Sequence, residues 1–210
     1  MATSKTRIRD PDRKQRILAA AAGLGARRGF HAISMADIGA AAGIVGSGIY
    51  RHFNSKTAIL ISMSDLVMDR LEDGAAQILA AVHDPAVAMS LLVKDHIAVA
   101  IEDREILAIY HREAHTLPED DWRRLRRRQR HYIEDWVHVL AQLRPDLPDG
   151  ELRLTVHAAF GAIQSILFFN SGLTPDQLAA QLAVPAHGCL GIKIARLENS
   201  EWPVTSGGSG

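Results

Sequence analysis

The sequence predicts an all-α protein made of a small basic module followed by a larger acidic one, and three observations lead there. Apolar residues recur at three- and four-residue spacing along nearly the whole chain and nowhere alternate over the length of a strand. Proline, glycine and aspartate fall between these stretches, where helices start and stop. The chain is neutral overall, yet ten Lys or Arg face three acids in residues 1–60, a net +7, which leaves −7 on the remaining residues.

Taken in order, "DPDRKQRILAAAAGLGARRGF" carries Ile17, Ala20, Ala21 and Leu24 on one helical face, with Asp10 as a cap, Pro11 in the first turn and Gly29 as the stop. "SMADIGAAAG" sets Ser34 three residues before Asp37, a capping-box spacing with Asp in place of Glu, and Gly43 ends this short helix. A tight turn and a second short helix follow in "GIVGSGIYRHFNSK". Asn54 or Ser55 then caps a long helix from Lys56 towards Val82, with Ile59, Leu60, Met63, Leu66, Val67, Leu71 and Ile78 on one side, which can join the two modules. Beyond His83 five further segments read as helices, the last two over residues 148–171 and 174–198. Pro185 is expected to kink or restart the final one, because its ring removes a backbone donor. The closing "SGGSG" reads as a flexible tail.

Two short helices around a Gly43-centred turn make a helix-turn-helix, whose second helix enters a DNA major groove. Ile38, Ala42, Ile44, Ile49 and Phe53 supply the inward face. Ser47, Gly48, Tyr50, Arg51 and His52 are left to face outward. Small residues let the backbone approach base edges, and the basic and aromatic residues after them suit phosphates. The +7 module agrees, since phosphate neutralisation draws protein to double-stranded DNA.

Residues 13–60 resemble the DNA-binding domain of TetR-family transcriptional repressors, through "RILAAA", Gly29-Phe30, "SMADIGAAAGI" and "IYRHFNSK". The resemblance implies that Tyr50 touches backbone or base, that His52 and Lys56 meet phosphates, and that Ser34 caps its helix beside the DNA. The chain departs from the family where Val45-Gly46-Ser47-Gly48 replaces a frequent Ser-Lys-Gly-Thr and Ala36 a frequent Arg, which removes two polar contacts. The division expected is a flexible basic arm over 1–12, the helix-turn-helix domain over 13–60, a ligand-binding and dimerisation domain over 61–200 and a flexible tail over 201–210. In the family the last two long helices pair with their symmetry mates, so a homodimer on a near-palindromic operator is implied, with Leu154, Ile166, Leu167, Leu178, Leu182, Leu190 and Ile194 supplying apolar area.

For the effector, Tyr110 and Glu113 stand one turn apart, and Tyr132 and Trp136 repeat the spacing on the next helix, with Phe160 and Gln164 on the one after. The pattern "IYxxEAxxL…RxxQRxxxxxWVxVL" is similar to actinobacterial TetR regulators of fatty-acid and sterol breakdown, which implies an acyl-CoA effector, with CoA phosphates on the arginine run from Arg123 to Arg130. A smaller apolar or aromatic effector stands beside it. His111 and His115 share a helical face that could hold a metal, the alternative being a helical enzyme or metal protein, but the Glu is misplaced for a zinc protease and no third ligand or nucleophile-base pair is evident. The expectation is a regulator, not an enzyme, that needs no cofactor. One cysteine, Cys189, excludes an intramolecular disulfide. No run approaches the roughly 18 uncharged apolar residues of a membrane span, which places the chain in the cytoplasm.

Overall fold

The computed structural model describes residues 12–44 and 46–194. The terminal arm with Asp10 and Pro11, and the tail, lie outside the described residues. Among those described there are eight α-helices, three short 3-10 helices and no strand.

Helix α1 (Asp12–Arg28) ends where Gly29 takes a positive φ of 83°. Helix α2 (Met35–Ala41) opens on a complete capping box: Asp37 N–H donates to Ser34 Oγ at 3.1 Å, and Ser34 N–H donates back to Asp37 Oδ2 at 2.8 Å. A 3-10 helix (Gly46–Arg51) follows, and Ser55, not Asn54, caps α3 (Lys56–Ala81) by accepting from Ala58 N–H at 3.1 Å. Asp84 caps α4 (Pro85–Glu102) with Pro85 at its first position, and α5 (Arg104–Glu113) and α6 (Glu119–Leu143) complete the middle of the chain. Helices α7 (Asp149–Gln164) and α8 (Pro175–Leu190) pack against each other, and α8 lies on α4.

Helix α3 touches α1, α4, α5 and α6, so it joins the first module to the second. One continuous core runs from Ile17 to Leu190 through it. The expected boundary at residue 60 falls inside this single helix, which therefore serves both modules.

Three sequence expectations need correction. The last helix stops at Leu190 and does not reach 198, because Gly191 adopts the left-handed conformation (φ 64°) and Ile192 N–H donates back to His187 O at 3.2 Å. A side chain at Gly191 would also run into the Arg144 guanidinium. Pro185 does not interrupt α8. It and Gln181, whose carbonyl it leaves unpaired, are both exposed, so solvent takes up the freed acceptor. Finally, Ile166, Leu167, Leu178, Leu182 and Leu190 are all buried within the subunit, while Leu154, Phe168 and Val184 stay 62–70 % exposed.

Candidate DNA-binding surface and effector cavity

The turn after α2 is built by Gly43 at φ 70° and Gly46 at φ 61°, with Ile44 N–H donating to Gly39 O at 2.8 Å. The segment expected as a short α-helix winds instead as a 3-10 helix. Two glycines weaken α-helix here, and a Cβ on Gly48 would meet Ile44 Cγ2 at 2.7 Å, so the tight winding fits a glycine. Ile38, Ala42, Ile49 and Phe53 are buried beneath it, and Ile44 is half-buried. Ser47, Tyr50, Arg51 and His52 are exposed, Gly48 is half-buried, and Tyr50 presents 57 % of its surface to solvent. Ser34 is exposed next to this face but its hydroxyl is bonded to Asp37, whose carboxyl it holds below the usual range. Lys56 is differently employed: its Nζ donates to the carbonyls of Phe30 and His31, each at 3.0 Å, and ties α3 to the loop after α1.

A cavity of about 650 Å³ opens beneath α3, between α5, α6 and α7. Val67, Met68, Leu71, Ile106, Leu125 and Phe160 form apolar wall. Of the six residues the sequence singles out for the effector, Tyr110, Tyr132, Phe160 and Gln164 line it. Gln129 Nε2 donates to the Tyr110 hydroxyl at 3.1 Å, and burial raises the tyrosine pKa. His111 Nε2 lies 3.2 Å from Gln164 Oε1 on the cavity wall, whereas His115 is outside the lining. No group of three His, Cys, Asp or Glu suited to a metal occurs among the described residues.

Glu113 and Trp136 are not in the lining. Trp136 is fully buried behind Phe160, ring centroids 4.8 Å apart and edge-on, so it supports the wall from behind. Glu113 turns the other way: only 4 % exposed, it meets His31 Nε2 at 3.1 Å, in the loop leading to α2. Tyr110, His111 and Ala114 face the cavity from the same short stretch, so the cavity and the helix-turn-helix share the end of α5. Helices α1 and α5 approach closely there, since a Cβ on Gly25 would lie 2.8 Å from Ile109 Cδ1.

The sequence missed His96, which is buried in α4 and yet lines the cavity. Its signal was a lone imidazole in the apolar run "HIAVA". Burial pushes its pKa down to about 4, so it is neutral. The arginine run divides by job. Arg124 and Arg128 clamp α6 to α3, with Arg128 Nη2 at 2.6 Å from both Asp69 and Glu72 and Arg124 Nη2 at 3.0 Å from Asp65. Arg123 pairs with Glu119. Arg126 and Arg130 line the cavity and form no ion pair among the described residues, whereas Arg127 is exposed and outside the lining.

Residues 17–63 match the model of the bacterial regulatory proteins of the tetR family. No curated protein sequence matches the chain. Among solved structures, a TetR-family transcriptional regulator from Bordetella parapertussis 12822 is 26 % identical with a TM-score of 0.73, over 84 % of this chain and 94 % of that one. The ketosteroid transcriptional regulator KstR2 of Mycobacterium tuberculosis is 25 % identical with a TM-score of 0.72, over the same shares. AibR, solved in complex with isovaleryl coenzyme A and operator DNA, shares the fold at 22 % identity and a TM-score of 0.68, over 81 % of this chain and 96 % of that one. The matched stretch lies on the helix-turn-helix, so residues 17–63 form a tetR-family DNA-binding domain, and the chain shares its fold over more than four fifths of its length with TetR-family transcriptional regulators.

Proposed function

We propose that the chain is a repressor that lets go of a near-palindromic operator when an apolar effector with an anionic end fills the cavity. The observation that carries this is the cavity itself: apolar walls enclosing about 650 Å³, with Arg126 and Arg130 at its edge lacking carboxylate partners among the described residues. An acyl-CoA thioester fits both features, its chain against the walls and its phosphates on the two guanidinium groups. The AibR complex with isovaleryl coenzyme A supports the class, because it is a relative in fold with such a ligand. Arg127, attractive in the sequence, is set aside for Arg126.

Ser34, Ser47, Gly48, Tyr50, Arg51, His52 and Lys56 are assigned to the DNA. Tyr50, Arg51 and His52 are the exposed contacts, and Ser34 and Lys56 act through the shape they hold. The module over 13–60 binds DNA, and 61–200 binds effector and partner subunit. As a binding protein for DNA it works in the cytoplasm, through affinity and not catalysis.

Release runs through α5 as well as α3. An effector pressing on Tyr110 and His111 moves the helix end that holds Glu113 against His31. Weakening operator binding 100-fold requires about 2.7 kcal/mol of preference for the DNA-free form. Fluorescence anisotropy on DNA from upstream of its own gene, titrated with acyl-CoAs of several chain lengths and with the matching free acids, tests this. Release by thioesters, lost about tenfold or more in the Arg126→Ala, Arg130→Ala double variant, is expected. No release by any thioester discards the CoA assignment, and no shift of upstream DNA discards the regulator of its own gene.

A further inference from the structure

We propose that His96 Nε2 donates the hydrogen bond that holds a neutral oxygen, a carbonyl or hydroxyl, on the buried end of the effector, an inference that rests on the cavity being the effector site. The effector is then an oxygen-bearing apolar molecule and not a plain hydrocarbon chain.

The imidazole is held by aromatic rings on three sides: stacked on Phe160 with centroids 4.5 Å apart and on Tyr132 at 5.7 Å, and edge-on to Trp136 at 5.8 Å. It is 3 % exposed and borders the cavity. Nδ1 lies 3.0 Å from the Tyr132 hydroxyl. Nε2 has no hydrogen-bond partner among the described residues.

The proton can be placed by counting unmet groups. If Nδ1–H donates to the tyrosine oxygen, both the Tyr132 O–H and the bare Nε2 are left without partners. If the Tyr132 O–H donates to Nδ1, only one group of the pair remains, the Nε2–H of a ring that borders the cavity. The second arrangement leaves less buried polarity unpaired and is the one adopted. Burial keeps the ring neutral, with a pKa of about 4, so Nε2–H is its single donor at ordinary pH.

A donor in an apolar cavity keeps a partner when a ligand oxygen reaches it and loses one when a methylene displaces water from it. A carboxylate is a poor occupant, because it would lose its water to face an uncharged ring. The charged end is therefore sorted to Arg126 and Arg130 and the neutral oxygen to His96, which fixes the direction in which the effector enters.

The test uses the purified full-length homodimer and two bicyclic probes of one skeleton, 2-tetralone and tetralin, measured by isothermal titration. The ketone is expected to bind at least about tenfold tighter, a difference of about 1.4 kcal/mol. His96→Phe keeps the ring stack and should bind both equally. Nitrogen-15 spectra of histidine-labelled wild type give a reading that needs no variant: Nδ1 unprotonated and Nε2 protonated at neutral pH, with Nε2 moving on addition of 2-tetralone and not of tetralin. Equal affinities in the wild type, a preference that survives in His96→Phe, or a proton on Nδ1 overturns the assignment of His96 alone. Binding of neither probe overturns the effector cavity and His96 with it.

Discussion

Lys56 is committed to protein before it meets any nucleic acid, because two backbone carbonyls, Phe30 and His31, take its ammonium. Replacing it with Met is expected to lower stability by about 1–2 kcal/mol and operator affinity together, since losing either carbonyl contact loosens the loop under α2. Tyr50→Ala should separate the two effects. With 57 % of the tyrosine exposed, its loss should change stability by no more than about 0.5 kcal/mol while weakening operator binding about tenfold or more, as thermal melts and anisotropy would show. The resemblance made Lys56 a phosphate contact, and its structural task was illegible because the partners are carbonyls, which any residue type carries. A second residue-scale expectation concerns acid. His96 titrates near 6.5 when unfolded and near 4 when folded, so its contribution is present above 6.5 and is lost, up to about 3 kcal/mol, as pH falls towards 4. Its neighbour Asp95 acts oppositely: burial raises its pKa from 3.8 to about 6 in the face of Arg70, so it favours the folded state below about 4 and ceases to do so as pH rises through 6. The two nearly offset each other between pH 6 and 4. Asp95→Asn should therefore stabilise at pH 7.5 by about 1 kcal/mol, discounted for partial exposure, and make the acid loss steeper in urea titrations at stepped pH. An unchanged slope would contradict the opposition.

At the scale of elements, caps were the most legible feature. Ser34 with Asp37, and Gly43 as the stop, are local chemistry within four or five residues, and so is the start of α3. Where a boundary depends on a backbone angle the outcome was harder to read. Gly191, inside the stretch read as the last helix, is a left-handed cap, and the glycines around Ser47 favour a 3-10 winding over α-helix. The face presented by α5 was half legible: spacing put Tyr110 and Glu113 on one interior, but the helix lies between two, the cavity on one side and the first module on the other. Glu113→Leu tests α5 as a lever. Effector affinity should be unchanged, because the residue does not line the cavity, while the concentration that half-releases operator should rise several-fold, because the His31 contact is gone. Titration calorimetry alongside anisotropy separates the two, and equal shifts in both would remove α5 from the path.

For the whole molecule, composition revealed the charge division and the helical class, but the cavity could not be read, since its walls come from five helices spread between Ser64 and Gln164. Subunit pairing is similar. Periodicity finds apolar residues on α7 and α8 without telling which serve the subunit and which its mate, and burial separates them. Ile166→Glu is expected to unfold the subunit by placing a charge in its core, whereas Phe168→Glu with Val184→Glu should yield folded monomers in light scattering with normal circular dichroism. Dimers from the double variant would move the interface elsewhere. The clamp from Arg124 and Arg128 to Asp65, Asp69 and Glu72 bears on how ion-release measurements on this regulator are interpreted. Added electrolyte screens these partly exposed pairs and loosens α3 under the helix-turn-helix at the same time as it displaces protein from phosphates. A logarithmic plot of affinity against salt, whose slope is ordinarily about −0.9 per phosphate neutralised, will therefore curve and overcount the phosphates. Repeating it with Arg128→Gln should straighten the line and return the smaller number that the DNA contacts alone account for.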